Sequence, residues 1–514
     1  MTDNRYGVTG HKYGTGKYGP SDLTTLLYGL VVDWNDDAKY PEIFTSSLNN
    51  EAFSRMTAFS TKRGRAEFIR DSDQGGFAPY LTGQAKITLT NQDDRYNPLN
   101  IASPLYPNCA PGKFARFFVK LGSTGTEQDL FVGQIEDIEL VGWGDDRRAI
   151  ITLADGWRWL RDSEVSIALQ TAVESEDAIG DVLDAAAWPA LWGRDIGTGI
   201  DTLAYYWEDG RSPSAALKDL ADSEYGRLTL TAAGAVKFRS RLAVSTATAS
   251  FQQAEILKDI KLRNPFKSIR NKVTIAVRPR VLQASGEVWK LQDAPLLIAG
   301  ETLVIWAEFQ YNNQTVPVLN AITPVATTDY TGNAQADGGG ADRTAQLSVA
   351  MTTFGTRTKL TIVNSGGTSA YLTLLKVRGQ ALNVPNVSFV IAGTGNRNFN
   401  LELPWQQTIS LANDLSDFLL GVLEDLPAAP IVKVEARPDL QFIPDIGDEV
   451  GVVIDSMSLT TSQQVGQIEH RSLNENCQAV LSVFVLEPLT GLAGDFFTLD
   501  DLALGELNSN RLAL

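Results

Sequence analysis

The sequence predicts a mainly β protein with a minor α/β part: tandem β-barrel domains, a helix-helix-hairpin connecting domain and an inserted β-sandwich. Short runs of alternating apolar and polar residues recur along most of the chain, separated by turns rich in Gly, Asn, Asp and Pro. Helical period is confined to three places, near residues 175–186, 212–221 and 411–426. A self-contained strand series from Gly286 to Gly379 interrupts what otherwise reads as one domain. For 514 residues, a prior of about 150 per domain gives three or four domains.

The elements follow in order. Residues 1–22 form an arm in which Tyr6-Gly7, Tyr13-Gly14 and Tyr18-Gly19 repeat. Glycine removes helix and strand preference while tyrosine offers amphipathic area, so Tyr13 and Tyr18 are expected to order only against a neighbour. Gly14-Thr-Gly16-Lys-Tyr-Gly19 spells the dinucleotide fingerprint, but no strand precedes it and Pro20 follows, so the match is set aside. The first barrel spans 23–160, with strands expected at Leu26 to Trp34, Phe114 to Leu121, Leu130 to Leu140 and Arg148 to Leu153, and a strand-turn-strand pattern over Glu51 to Asp71. Between the strand at Ile87 and Leu89 and the strand at Phe114 lies a long bridge containing Asn97-Pro98, Ser103-Pro104 and Pro111-Gly112. Proline pushes the residue before it out of the helical region, so the bridge is stiff, and a long ordered loop in a compact domain usually has a job. Asp94, Arg95, Tyr96 and Tyr106 are its side chains of consequence, read either as a subunit contact or as an internal ion pair and two aromatic plugs.

The small α/β domain, 161–245, has one helix burying Ile179, Val182, Leu183 and Ala186 and a second starting at Ser212-Pro213 and ended by Gly226. A hairpin over Ala232 to Ala235 completes it. The second barrel, with a long helix, takes 246–285 and 380–488, and the sandwich takes 286–379. Its strands turn Leu303, Ile305, Ala307, Phe309, Leu347, Leu360, Leu372 and Leu374 inward. Residues 489–514, with Phe496 and Phe497, are an apolar-acidic docking tail.

Composition removes several classes of function. A net charge of −17 argues against gripping nucleic acid by its phosphates, although DNA could pass an acidic wall without sticking. No run of about 18 apolar residues marks a membrane span, and the start lacks a secretory pattern, so cytoplasmic synthesis is expected. Cys109 and Cys477 are read as buried thiols, and His11 and His470 have no partner at a known motif spacing. No cofactor or metal site is expected. Calcium oxygens are present at Asn91, Asp93 and Asp94 and at Asp337 and Asp342, without the spaced ladder of an EF-hand. Trp306, Tyr311 and Tyr371 are core aromatics or, in the alternative, a sugar-stacking surface.

Thr88-Leu-Thr-Asn91-Gln-Asp93-Asp94-Arg95-Tyr96-Asn97-Pro98-Leu-Asn100, with Ser103-Pro104-Leu-Tyr106 and Pro111-Gly112, resembles the loop of tail-tip hub or minor tail proteins of long-tailed bacteriophages. Asp94 stands where glycine is common. The Lys-Tyr-Gly arm, Ala221-Asp-Ser-Glu224-Tyr-Gly226, Val236-Lys-Phe-Arg239 and Gly447-Asp448-Glu-Val450 are also similar. The resemblance implies a virion protein without catalysis, assembled in the host cytoplasm: a baseplate hub in which three copies form a ring beneath the tail tube. It implies contacts with a distal tail protein, the C-terminus of the tape-measure protein, and fibre or receptor-binding proteins, with DNA passing through unbound. Asp94, Arg95, Tyr96, Tyr106, Tyr13, Tyr18, Phe496 and Phe497 would be subunit contacts. The alternatives are a tail-associated envelope glycan hydrolase and a carbohydrate-binding tail protein.

Overall fold

A computed structural model describes residues 26–37, 50–51, 55–65, 81–121, 126–243, 247–263, 269–424, 429–475 and 477–487. The arm and the tail, and with them Tyr13, Tyr18, Phe496 and Phe497, lie outside the described residues. The structure is mostly strand, 49%, with 15% helix.

The two regions expected as separate barrels share one sheet of thirteen strands. Strand Met56–Gly64 pairs on one side with Leu81–Thr90 and on the other with Leu459–Ser472, from Ser60 opposite Arg471 to Gly64 opposite Gln467. The seam is tight: a Cβ on Gly64 would lie 2.1 Å from the Gly466 carbonyl oxygen, and the residue sits at φ +87, so only glycine fits. Next to it, the buried Arg65 meets Glu487 at 3.0 Å. Of the strand-turn-strand pattern expected over Glu51 to Asp71, the strand Met56–Gly64 is described, while 52–54 and 66–80 lie outside the described residues.

In the α/β domain, helices Ser175–Ala185 and Pro213–Ser223 bury Ile179, Val182 and Leu183 with Leu217 and Leu220. Pro213 occupies the first turn, and the Ser212 side chain makes no capping bond. Gly226 is not the left-handed residue that ends the second helix; Tyr225 is, at φ +57, while the Gly226 N–H closes onto the Ala221 carbonyl at 2.8 Å. A strand pair, Val165–Glu174 with Thr202–Arg211, completes the domain where no strands were expected.

The region 246–285 with 380–488 also divides. Strands Ser388–Ala392, Lys272–Val277 and Asn398–Glu402 form a three-stranded sheet backed by the helix Ile409–Glu424. Val273, Ile275, Phe399, Leu415, Leu419 and Leu423 are its separate core. Apart from Val281–Leu282 and the end of Ala370–Asn383, the remaining strands of the region join the large sheet, and the strand expected from Ile256 is confined to Lys261–Arg263.

In the inserted unit Gly286 pairs with Gly379, and strand Ala370–Asn383 runs on to pair with Val281–Leu282, making a two-stranded neck. Leu372 and Leu375 point inward, not Leu374, because the strand bulges between Leu372 and Leu374 where it pairs with Thr331 and Gly332. Arg357 meets Asp209 of the α/β domain at 3.1 Å.

Candidate interaction surface on the 91–113 loop

The loop after strand Leu81–Thr90 is a staircase of turns. Backbone bonds run from Asp94 N to Asn91 O, Asn97 N to Asp94 O, Asn100 N to Asn97 O, Ser103 N to Asn100 O and Tyr106 N to Ser103 O, at 3.0 to 3.4 Å. A side chain secures each step, since short polar side chains bond the backbone two residues on. Asn97 Oδ1 accepts from Leu99 N at 2.9 Å, Asn100 Oδ1 from Ala102 N at 3.0 Å and Ser103 Oγ from Leu105 N at 3.1 Å. Cross-braces tie the steps together: Asn91 Oδ1 accepts from Tyr96 N, and Asn100 Nδ2 donates to Asp94 O.

Asp94 takes φ +55, the left-handed conformation that glycine adopts most cheaply. The departure from glycine therefore leaves the glycine-like backbone in place, and Asp94 Oδ2 accepts a bond from Asn97 Nδ2 at 3.0 Å. Asp93 is engaged in a two-pronged pair with Arg55, at 3.0 and 2.9 Å. That guanidinium holds the Asp93 carboxyl below its ordinary pKa. Its oxygens are thus committed to an internal cation, and no cluster of three or more metal-ligating side chains occurs among the described residues.

Among the loop residues, Tyr96 requires correction as a contact. It is 0% exposed, packed in the core with Ile87, Leu105, Cys109 and Phe131. Burying a large aromatic ring is what anchors the staircase. Asp94 and Arg95 are half-buried and Tyr106 is exposed. The apolar area offered to solvent comes instead from Leu99, 85% exposed, and Ile101, 78%. Sequence reading missed both because a lone Leu or Ile in a loop looks like core. The hairpin turn Gly142-Trp143-Gly144 lies at the same edge: Asn91 N bonds Arg147 O at 2.8 Å, Gln92 Nε2 donates to Asp145 O at 2.9 Å, and Trp143 is exposed.

The later motifs have structural jobs. In Ala221 to Gly226, Glu224 is fully buried and its Oε2 accepts from Ser175 Oγ at 2.8 Å, Ile200 N at 3.0 Å and Asp201 N at 3.2 Å. Burial raises its pKa, and that of Asp201 to about 7. Lys237 and Asp448, from two motifs far apart in sequence, meet at 3.0 Å. Arg63 meets Asp445 at 2.8 Å beside them, so the 227–239 hairpin is bolted to the turn at 445–448.

The other candidate groups scatter. His470 is buried among Phe442 and Phe484, with Nδ1 2.8 Å from Ser482 Oγ, and burial lowers its pKa to about 3. It is a neutral core residue. Cys109 and Cys477 are buried thiols outside any disulfide, and the Cys109 thiol donates to the Tyr96 carbonyl at 3.4 Å. Trp306 is exposed, with Phe354 at 5.4 Å and the Arg357 guanidinium over its ring at 5.5 Å. Tyr311 is half-buried against the insert core, its hydroxyl on Gln283. No helix among the described residues is long and apolar enough to cross a membrane.

No protein-family model matches the chain, and no curated protein matches it significantly. Among solved structures, it is similar to the 43 kDa tail protein of prophage MuSo2 from Shewanella oneidensis at 11% identity and TM-score 0.49, covering 91% of this chain and 99% of that one. A tail protein from Neisseria meningitidis follows at 8% identity and TM-score 0.48, covering 91% and 98%. A prophage tail protein from Listeria monocytogenes has 8% identity and TM-score 0.39, covering 89% and 94%. All three of these solved structures are tail proteins.

Proposed function

We propose that this protein is a non-enzymatic structural subunit of a phage tail tip, three copies of which form the hub ring between the tail tube and the host-recognition proteins. The observation that carries the reading is the 91–113 staircase: every step is secured internally, and it holds Leu99, Ile101 and Tyr106 out in solvent. A loop with its backbone already ordered loses little entropy on docking, so its exposed apolar area contributes to affinity. These three side chains, with Asp94 and Arg95 at their base, grip the adjacent copy. The arm residues Tyr13 and Tyr18 add contacts to neighbours. The distal tail protein, the tape-measure C-terminus and fibre proteins are the further partners, and the acidic wall lets DNA pass without holding it. Electron microscopy of the purified chain and of the particle tests this: threefold ring density is expected, and a stable monomer absent from particles would refute it. Zymography on host peptidoglycan should show no clearing; an activity abolished by a single carboxylate substitution would replace this reading with the hydrolase one.

A second reading concerns the inserted sandwich alone, and the exposed Trp306 favours it. Its ring, backed by Phe354 and Arg357, offers one face for stacking a sugar. Binding of cell-wall glycans by the full chain, lost in Trp306→Ala, is its test.

A further inference from the structure

Strand Ser388–Ala392 is an edge of the three-stranded sheet: it pairs with Lys272–Val277, and no strand among the described residues pairs with its other side. Helix Ile409–Glu424 covers one face of that sheet. On the strand's opposite side Phe389 is 64% exposed and Ile391 58%, with the exposed Val387 just before them. An unpaired edge carrying exposed apolar side chains is a template for strand addition. The strands of the sheet and their flanks are basic within an acidic chain: residues 269–280 and 387–402 contain Arg270, Lys272, Arg278, Arg280 and Arg397 against Glu402, while Asp414, Asp417 and Glu424 belong to the helix that covers the other face.

The chain continues for 27 residues beyond Glu487. That segment is acidic, with Asp495, Asp500, Asp501 and Glu506 against Arg511, and it includes Phe496-Phe497-Thr498-Leu499. The N-terminal arm, with Arg5, Lys12 and Lys17 against Asp3 and Asp22, has the wrong sign for this surface. The point of departure, Glu487, ends the strand Val480–Glu487 and is held by Arg65 at 3.0 Å. At ~3.3 Å per extended residue, the eight residues from Glu487 to Asp495 span roughly 26 Å.

We propose that the edge strand Ser388–Ala392 is the docking site of the chain's own C-terminal segment, residues 495–504, which adds as a strand, sets its phenylalanines against Phe389 and Ile391, and places Asp500 and Asp501 among the flanking basic residues. The proposal does not depend on assembly into a ring. Hydrogen exchange on the full chain and on a variant ending at Glu487 tests it. Truncation should speed exchange of the outer-edge amides of 388–392 at least tenfold, and a synthetic peptide of residues 489–514 should restore protection, less so at high salt. The peptide should fail on the Phe389→Asp/Ile391→Asp variant, whose substituted side chains face solvent. Equal exchange in the full and truncated chains, or equal peptide binding to the double variant, overturns the proposal. Should the truncated chain not fold, oxidation of full chains carrying Phe389→Cys with Phe496→Cys or Phe497→Cys decides: cross-linking is expected, and its absence in both pairs refutes the docking.

Discussion

Tyr96 and Tyr106 show how two similar residues ten positions apart in one loop take opposite roles. Tyr96 is inside the core and Tyr106 is outside, so Tyr96→Ala should cost about 3 kcal/mol in denaturant unfolding, in the range of large aromatic truncations. Leu99→Asp with Ile101→Asp should leave unfolding within ~0.5 kcal/mol while sedimentation shows loss of the proposed trimer. Asp94→Gly should be tolerated and Asp94→Val should cost ~1–2 kcal/mol more, because a β-branched residue at φ +55 is strained. The buried titratable groups set a pH window. His470 has its pKa lowered from 6.5 to about 3, so the unfolded chain takes up a proton that the folded chain refuses. Its contribution is complete above pH 6.5 and is lost toward pH 3, at up to ~1.4 kcal/mol per pH unit. Asp155, Asp201 and Glu208 are raised by burial to about 7, so their contribution is complete below the ordinary carboxylate range and is lost as pH rises through 7. Urea midpoints measured from pH 4 to pH 8 should therefore fall on both sides of a mildly acidic optimum, and His470→Phe should flatten the acid side alone.

At the scale of elements, the inserted sandwich has its own core, centred on Phe309, Leu360, Ile362 and Leu372, and reaches the body through a paired neck. Splicing Ser285 to Gln380 through a short glycine linker should leave both parts folded, checked by circular dichroism and thermal melts of the remainder and of isolated 286–379. The Arg357–Asp209 pair is partly exposed, so Asp209→Ala should change stability by less than about 1 kcal/mol. It should nevertheless widen the distribution of insert positions seen by X-ray scattering, since Asp209 holds both Arg357 and the Thr356 hydroxyl of the insert.

Across the whole molecule, the shared sheet makes the two regions expected as barrels one mechanical body. Strand Met56–Gly64 is paired to both halves, and Arg63–Asp445 and Arg65–Glu487 cross the same seam. Removing one partner of a buried pair strands the other charge, at a cost of ~3–5 kcal/mol. Arg65→Met should therefore melt both regions together in a single transition, visible by calorimetry, rather than releasing one of them. Such a body can carry load between a tube above and fibres below, as the proposed ring position requires.

The sequence by itself determined where most strands, turns and helices lie, though not the pair Val165–Glu174 and Thr202–Arg211, because apolar periodicity, proline and the Asx side chains act within a few residues. The staircase from Asn91 to Tyr106 was legible for that reason, as were the helices at Ile179 to Ala186 and Leu411 to Leu423. Only the tertiary structure decided that Tyr96 turns inward while Leu99 and Ile101 turn out, that strand Met56–Gly64 joins Leu459–Ser472 some four hundred residues away, and that the region around the long helix splits into two packing units. Strand register and the buried face are set by partners distant in the chain, and local pattern carries no information about which partner that is.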